Sequence, residues 1–138
     1  MQKIIKNTKF QKKHLIQVTK KNFNSIELVY SNIGLKATGS GYLKLKELET
    51  IKFDLKKKLK KNITINYRTY ANMPYTKKPS GVRMGKGKGE ISNWFAPIKT
   101  GQIICELKSS VSDKILVEIL SNIQKKLSIP TKIIHIQA

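Results

Sequence analysis

The sequence predicts an α+β fold in which an antiparallel or mixed β-sheet packs against two helices. Two segments place apolar residues at helical spacing, and several others alternate apolar and polar residues as strands do. The chain has 138 residues, the length of one ordinary domain, and 39% of them are hydrophobic, enough for one core. The predicted order is ββαβ, a long loop, and then ββαβ. We expect an extended basic N-terminal arm over residues 1–23 and a single domain over residues 24–138.

The residue pattern in the first half of the domain predicts two strands and a helix. Residues 24–31 alternate apolar and polar side chains as a strand does, and residues 35–42 do so again. Gly39 and Gly41 in the second strand indicate a bulge or a close backbone contact. Residues 44–61 predict a helix, because leucine and isoleucine recur on one face at helical spacing. That face comprises Leu45, Leu48, Ile51, Leu55 and Leu59.

A third strand and a long loop follow the first helix. Residues 62–70 are rich in β-branched and aromatic side chains, which favours a strand. Residues 71–93 contain Pro74, Pro79 and several glycines, and they are predicted to form a loop. A loop of that length inside a compact domain is usually functional or disordered.

The last third predicts a hairpin, a helix and a final strand. Residues 94–98 and 102–107 are predicted to pair as a hairpin around a turn at 99–101, with Cys105 as a small core residue. Residues 110–127 predict the second helix, capped by Ser110 with Asp113 three residues on. Its apolar face comprises Val111, Ile115, Leu116, Ile119, Leu120, Ile123 and Leu127. A strand over residues 131–137 completes the chain.

The charge points to a polyanionic partner. The chain carries 28 Lys and Arg against 8 Asp and Glu, a net charge of +20, and such a surface attracts nucleic acid. Residues 1–90 hold 22 cations and 5 acids, net +17, so the binding residues are expected there. Arg68 and Arg83 are the two arginines. Because lysine holds phosphates as a point charge, this composition favours recognition of backbone and shape over base sequence.

Composition also excludes several classes of protein. A lone cysteine supports no disulfide framework or cysteine metal site, which favours a reducing compartment. No apolar run approaches a membrane span, and the start lacks the apolar core of a signal peptide. His14 and His135 have no catalytic neighbours in the sequence, and the acids show no metal-ligand spacing. We therefore expect no enzyme activity, no catalytic residue, no metal and no cofactor.

The most informative segment is the basic, glycine-rich run from Lys77 and Lys78 to Trp94. At its centre, glycine alternates with cationic residues. Glycine allows positive φ and close approach, and successive bare N–H groups form a concave anion site. The residues of this septet are Arg83, Met84, Gly85, Lys86, Gly87, Lys88 and Gly89. The alternative is a solvated basic loop without a partner, and the glycine spacing excludes the usual nucleotide-binding loops.

The arm is the second candidate for binding. Lys9, Phe10, Lys12, Lys13 and His14 place one aromatic ring among cations, a composition typical of segments that stack on bases and hold phosphates. The alternative is a solubilising tail. The first helix also carries many lysines opposite its apolar face, and their mutual repulsion favours a nearby polyanion over a merely solvated surface.

Three motifs, at family-like spacing along the chain, resemble bacterial-type large-subunit ribosomal protein sixteen, and the resemblance covers nearly the whole chain. The septet is followed by four residues and Trp94, and Lys78, Pro79 and Val82 precede it at family-like positions. In the arm, residues 8–10 and 12–14 match the family's basic motif. Gly34, Leu35, Lys36 and Ala37, followed by Gly39 and Gly41, form the third match. The chain departs from the pattern at Lys44, where a capping Thr is common, and at residues 15–18, which lack the Gly/Arg-rich continuation.

The resemblance implies a structural constituent of the large ribosomal subunit that binds large-subunit rRNA. In the family, the loop reaches towards the peptidyl-transferase centre and helps shape the aminoacyl-tRNA site, and the chemistry belongs to the RNA. Arg83 matches a position that is hydroxylated in some relatives. The implied partners are large-subunit rRNA, aminoacyl-tRNA and neighbouring ribosomal proteins, with no membrane and no small-molecule substrate. The Ile, Lys and Asn content is typical of AT-rich coding and favours the mitochondrial matrix, with a plastid or an AT-rich bacterium as alternatives.

Two other functions fit part of the pattern. A free-standing, sequence-nonspecific RNA-binding or RNA-chaperone protein would need the same basic surface, but it would show no fixed stoichiometry with ribosomes. A phosphate-handling enzyme would use the glycine loop, but the scarcity of acids and metal ligands argues against it.

Overall fold

The computed structural model describes residues 12–18, 27–60 and 63–136, which form seven strands and two helices. Their order is β1 (Ile33–Ala37), β2 (Gly41–Lys44), α1 (Leu45–Leu59), β3 (Ile63–Tyr67), β4 (Met73–Lys77), β5 (Glu90–Ile98), β6 (Ile103–Ser109), α2 (Asp113–Gln124) and β7 (Thr131–His135). This confirms the predicted α+β class with two helices. Among the described residues, neither helix is long and apolar enough to cross a membrane.

The strands form two antiparallel sheets instead of one. The four-stranded sheet has the order β3-β6-β1-β7, and the three-stranded sheet has the order β2-β5-β4. The predicted hairpin of residues 94–98 and 102–107 is therefore wrong. β5 pairs with β2 and β4 in one sheet, while β6 pairs with β1 and β3 in the other. The turn at 99–101 carries the chain between sheets.

The chain also changes sheets within the predicted strand at residues 35–42. β1 and β2 are separated there by residues 38–40 and belong to different sheets. A Cβ on Gly39 would lie 2.8 Å from Pro130 Cγ, and one on Gly41 would lie 3.3 Å from Ile129. The close approach predicted from these glycines is thus confirmed, and it occurs where the chain crosses from one sheet to the other.

Both helices bury the apolar faces expected from their spacing. In α1, Leu48, Ile51, Leu55 and Leu59 are buried. The helix begins directly after Lys44, whose amide donates to Glu47 Oε2 at 3.1 Å, the half of a capping box that needs no Thr side chain. In α2, Leu116, Ile119, Leu120 and Ile123 are buried.

The predicted start of α2 is wrong. The N-cap is Ser112, not Ser110, and the helix begins at Asp113. Ile115, which the spacing places on the apolar face, is 46% exposed, because it lies at the edge of the stripe formed by the buried residues Leu116, Ile119, Leu120 and Ile123. The core that the helices cover draws on both sheets, and it includes Leu35, Leu43, Leu55, Ile98, Ile104, Cys105, Leu120 and Ile123.

A buried ion pair holds the segment before β1. Glu106 on β6 is fully buried, and its Oε1 accepts a hydrogen bond from Arg68 Nη1 at 2.6 Å. Its Oε2 accepts from the backbone amides of Val29 at 3.1 Å and Tyr30 at 2.6 Å. The strand predicted over residues 24–31 is therefore wrong for residues 27–31, where the amides of Val29 and Tyr30 bond to a side chain and the first strand begins only at Ile33. Residues 24–26 lie outside the described part of the chain.

The long loop is shorter than predicted. Residues 73–77 form β4, and β5 already begins at Glu90, which leaves residues 78–89 as the loop between two paired strands. Pro74 had argued against a strand, but β4 is the edge of its sheet, where proline is tolerated because one side of the backbone needs no partner.

Cys105 gives a prediction that tests this packing. Burial raises the pKa of its thiol to about 12, and the negative charge of Glu106 adds to the effect. The thiolate is the reactive form, so we expect almost no alkylation by iodoacetamide at pH 8 in the native protein and prompt alkylation in denaturant. Because the folded pKa is raised, the associated stability is present below about pH 9 and lost as the pH rises towards 12. Complete native alkylation at pH 8 would show that the strand is accessible.

Candidate nucleic-acid interface

The basic loop projects from the paired end of the three-stranded sheet. Lys77 and Glu90 are cross-strand partners and form its stem. Arg83, Met84, Lys86 and Lys88 are all exposed, and Met84 is 100% exposed. An apolar side chain with no cover from the described residues, flanked by cations, can contact a base or sugar while its neighbours hold phosphates.

The glycines of the loop serve two different purposes. Gly85 and Gly87 have φ values of 106° and 75°, with open space around each, so they are needed for backbone conformation. Lys86 between them also has a positive φ of 55°. Gly89 is needed for space, because a Cβ there would lie 2.8 Å from backbone atoms of Lys77 and Lys78 in the stem.

Lys78 helps to shape the loop. Its Nζ donates to Gly85 O at 2.5 Å, which ties the beginning of the loop to the septet. Lys77 is exposed at the stem. Both were predicted as binding residues, and the structure gives Lys78 an internal contact that the sequence did not indicate.

Part of the arm lies beside the loop. Lys12, Lys13 and His14 are exposed. Lys12 Nζ donates to Lys88 O at 3.2 Å, and Lys88 Nζ donates to Lys13 O at 2.7 Å. The structure therefore brings these two predicted basic segments together. Lys9 and Phe10, the other predicted arm residues, lie outside the described residues.

Lys36 lies apart from the loop, on β1 of the four-stranded sheet. It is half-buried, and its cross-strand partner on β7 is Lys132. Like charges directly opposite each other on paired strands are unfavourable without a counterion. Lys132 is thus a candidate binding residue that the sequence did not single out, since only the strand pairing places it beside Lys36.

The lysines of α1 form a further basic surface. Lys46, Lys56, Lys57 and Lys58 are exposed, as is Lys60 directly after the helix. The carboxylate of Asp54 accepts from Lys126 Nζ at 2.5 Å, so this acid is engaged by a lysine from outside α1. That a polyanion lies near this helix stays a prediction.

Catalytic and metal-binding groups are scarce among the described residues. No group of three or more His, Cys, Asp or Glu side chains in the described ranges could hold a metal ion. His135 Nε2 lies 2.8 Å from Asp113 Oδ2, a pairing that the sequence did not indicate. This pair lies on the surface, and Cys105 is buried elsewhere in β6.

The chain is similar to known proteins of the large ribosomal subunit. The family model described as ribosomal protein L16p/L10e matches residues 5–134. Large ribosomal subunit protein uL16m of Dictyostelium discoideum is 44% identical over 108 residues, which cover 78% of this chain and 74% of that protein. The uL16 proteins of Macrococcus caseolyticus and Staphylococcus aureus are each 29% identical over 129 residues, which cover 94% of this chain and 89% of the relative.

These matches confirm the resemblance drawn from the loop, the arm and the Gly34–Ala37 motif. The identity with a mitochondrial uL16m also confirms the expectation of an organellar type. The chain therefore belongs to the ribosomal protein L16p/L10e family, and its relatives indicate a structural protein of the large ribosomal subunit.

Proposed function

We propose that this protein binds large-subunit rRNA in a mitochondrial ribosome and helps shape the aminoacyl-tRNA site near the peptidyl-transferase centre. The observation that supports this most is the loop at residues 78–89, which exposes Arg83, Met84, Lys86 and Lys88 beyond a paired stem. A paired stem with an exposed, positively charged tip suits insertion between RNA segments.

The distribution of charge supports the same function. No ion pair among the described residues neutralises the cations of four groups. These groups are the loop, the arm segment at residues 12–14, the α1 lysines and the Lys36–Lys132 pair. Such a surface is stabilised when phosphates replace small counterions. The side chains would position RNA, and no bond-making step is assigned to them.

The rRNA-binding proposal is tested with the double variant Arg83→Ala/Lys86→Ala. Both side chains are exposed, so we expect the free energy of unfolding to change by no more than about 0.5 kcal/mol. Each lost phosphate contact should reduce the slope of log affinity against log salt by roughly 0.7–0.9. We therefore expect weaker binding to a large-subunit rRNA fragment and a slope reduced by roughly 1.5, measured by filter binding at several salt concentrations.

The matched control is Lys114→Ala/Lys125→Ala, which removes the same charge from two exposed positions near the ends of α2. It should leave the salt slope nearly unchanged. Equal losses of affinity and of salt slope in the two double variants would mean that net charge alone controls binding and that the loop is not an interface.

The position in the ribosome is tested by sedimentation. Tagged protein expressed in its own organelle should sediment with large subunits, and subunits carrying the loop variant should accept aminoacyl-tRNA more weakly. Protein that sediments free of large subunits and binds many RNAs equally would support the RNA-chaperone alternative. Fractionation that leaves the protein outside the mitochondrial matrix would overturn the proposed location.

A further inference from the structure

The arm and the loop are joined by two lysines that each bond to the backbone of the other segment. Lys12 reaches Lys88 O at 3.2 Å, and Lys88 reaches Lys13 O at 2.7 Å, although the segments are 75 to 76 residues apart in sequence. We call the group formed by Lys12, Lys13 and Lys88 the arm–loop clasp.

The acceptors in the clasp are carbonyl oxygens, so no positive charge is neutralised. An ammonium group has three donors, and each of these bonds uses one of them. Lys12 and Lys88 therefore remain able to hold phosphates while they hold each other's segment. The repulsion between these cations opposes the clasp in the free protein, and a bound polyanion would remove that repulsion.

The loop side of the clasp is fixed by the stem. Gly89, next to Lys88, sits so close to the backbone of Lys77 and Lys78 that a Cβ would lie 2.8 Å away. On the other side, Lys13, His14 and Leu15 line a shallow cavity together with residues 74–76 of β4. Residues 13–15 are thus brought to a fixed point at the base of the loop.

We propose that Lys88 is a positioning residue in addition to being a cation of the loop, a role that is not assigned to Arg83 or Lys86. With Lys12, it fastens residues 12–15 to the stem so that arm and loop meet the same segment of rRNA as one cationic surface. The inference rests on the proposed rRNA binding, but the contact itself can be tested without RNA.

The test without RNA measures trypsin cleavage between Lys13 and His14 by mass spectrometry. The carbonyl of that peptide bond accepts from Lys88, so cleavage requires the clasp to open. We expect Lys88→Met to speed this cleavage about threefold, as for the loss of an exposed, charge-assisted contact. Trypsin should cleave Lys86→Met at the same rate as the original chain. Lys88→Arg, which keeps a donor, should restore slow cleavage. Equal cleavage of Lys88→Met and the original chain would overturn the clasp.

The test with RNA is a double-mutant cycle on the binding of a large-subunit rRNA fragment. Lys12→Met combined with Lys88→Met should weaken binding about threefold less than the product of the single effects, because the two bonds hold the same pair of segments and the loss of either loosens the clasp. Lys12→Met combined with Lys86→Met should give the full product. If the effects of the single changes on affinity multiply fully in both double variants, the positioning role is overturned.

The two experiments distinguish a failure of the clasp from a failure of the proposed rRNA binding. If the original chain does not prefer the rRNA fragment over random RNA, the proposed function fails, and the trypsin experiment still decides whether the clasp exists. If binding is specific but Lys88→Met behaves like Lys86→Met in both experiments, the clasp is wrong and rRNA binding stands.

Discussion

Replacing Glu106 with Ala is expected to lower the free energy of unfolding by about 3 kcal/mol. The carboxylate is fully buried and accepts from Arg68 and from the amides of Val29 and Tyr30. Removing one partner of a buried pair leaves the other charge uncompensated, which typically costs about 3–5 kcal/mol. The lower end applies here, because the Arg68 side chain is 21% exposed and keeps some contact with water. Urea denaturation followed by circular dichroism measures the change.

Two further variants show whether the loss comes from this group of contacts. Glu49→Ala removes a carboxylate from an exposed position on α1 and should change the unfolding free energy by no more than about 0.5 kcal/mol. Glu106→Gln keeps the volume but offers one acceptor oxygen to three donors, so its loss should fall between the other two. Equal stability of the Ala variants at 106 and 49 would mean that the buried pair contributes nothing.

The sequence predicted the helices better than the sheets, and the reason is physical. A helix buries one stripe of apolar side chains, which recurs every 3.6 residues. The buried face of α1 can therefore be recognised from nearby positions in the sequence, such as Leu48, Ile51 and Leu55. A strand's alternation shows which side chains face the core, but it does not identify the neighbouring strand. Residues 94–98 and 102–107 are close in sequence, which favoured a hairpin, yet each strand pairs with others in a separate sheet.

The ends of the loop were missed for a related reason. Pro74 counts against a strand when its position in the sheet is unknown, and only the complete order of strands places β4 at an edge. Glu106 could not be interpreted from its own strand either. Its partner Arg68 lies 38 residues away, and a single acid in an apolar run does not indicate which residues will surround it.

The candidate interface was predictable where its chemistry is local. Alternating glycine and cation between Arg83 and Gly89 indicated an exposed anion-binding loop, and the structure places the cations of this septet at the surface. The contacts between segments were not predictable. Lys12 with Lys88 and Lys36 with Lys132 are brought together by the fold, and nothing local in the sequence distinguishes Lys88 from Lys86.

Replacing Leu55 with Ala should lower the free energy of unfolding by about 2–5 kcal/mol, because the side chain is completely buried between α1 and the rest of the core. For a chain of this size, the melting temperature should fall by roughly 8–20 °C. Phe53→Ala, two residues earlier on the same helix and 66% exposed, is the control and should change stability little. Below the melting temperature, the folded Leu55→Ala protein should bind the rRNA fragment with its original salt slope, since the cationic surface is intact. A lower salt slope in the folded variant would mean that the helix core and the loop are coupled, and that the body of the protein does more than support its basic surface.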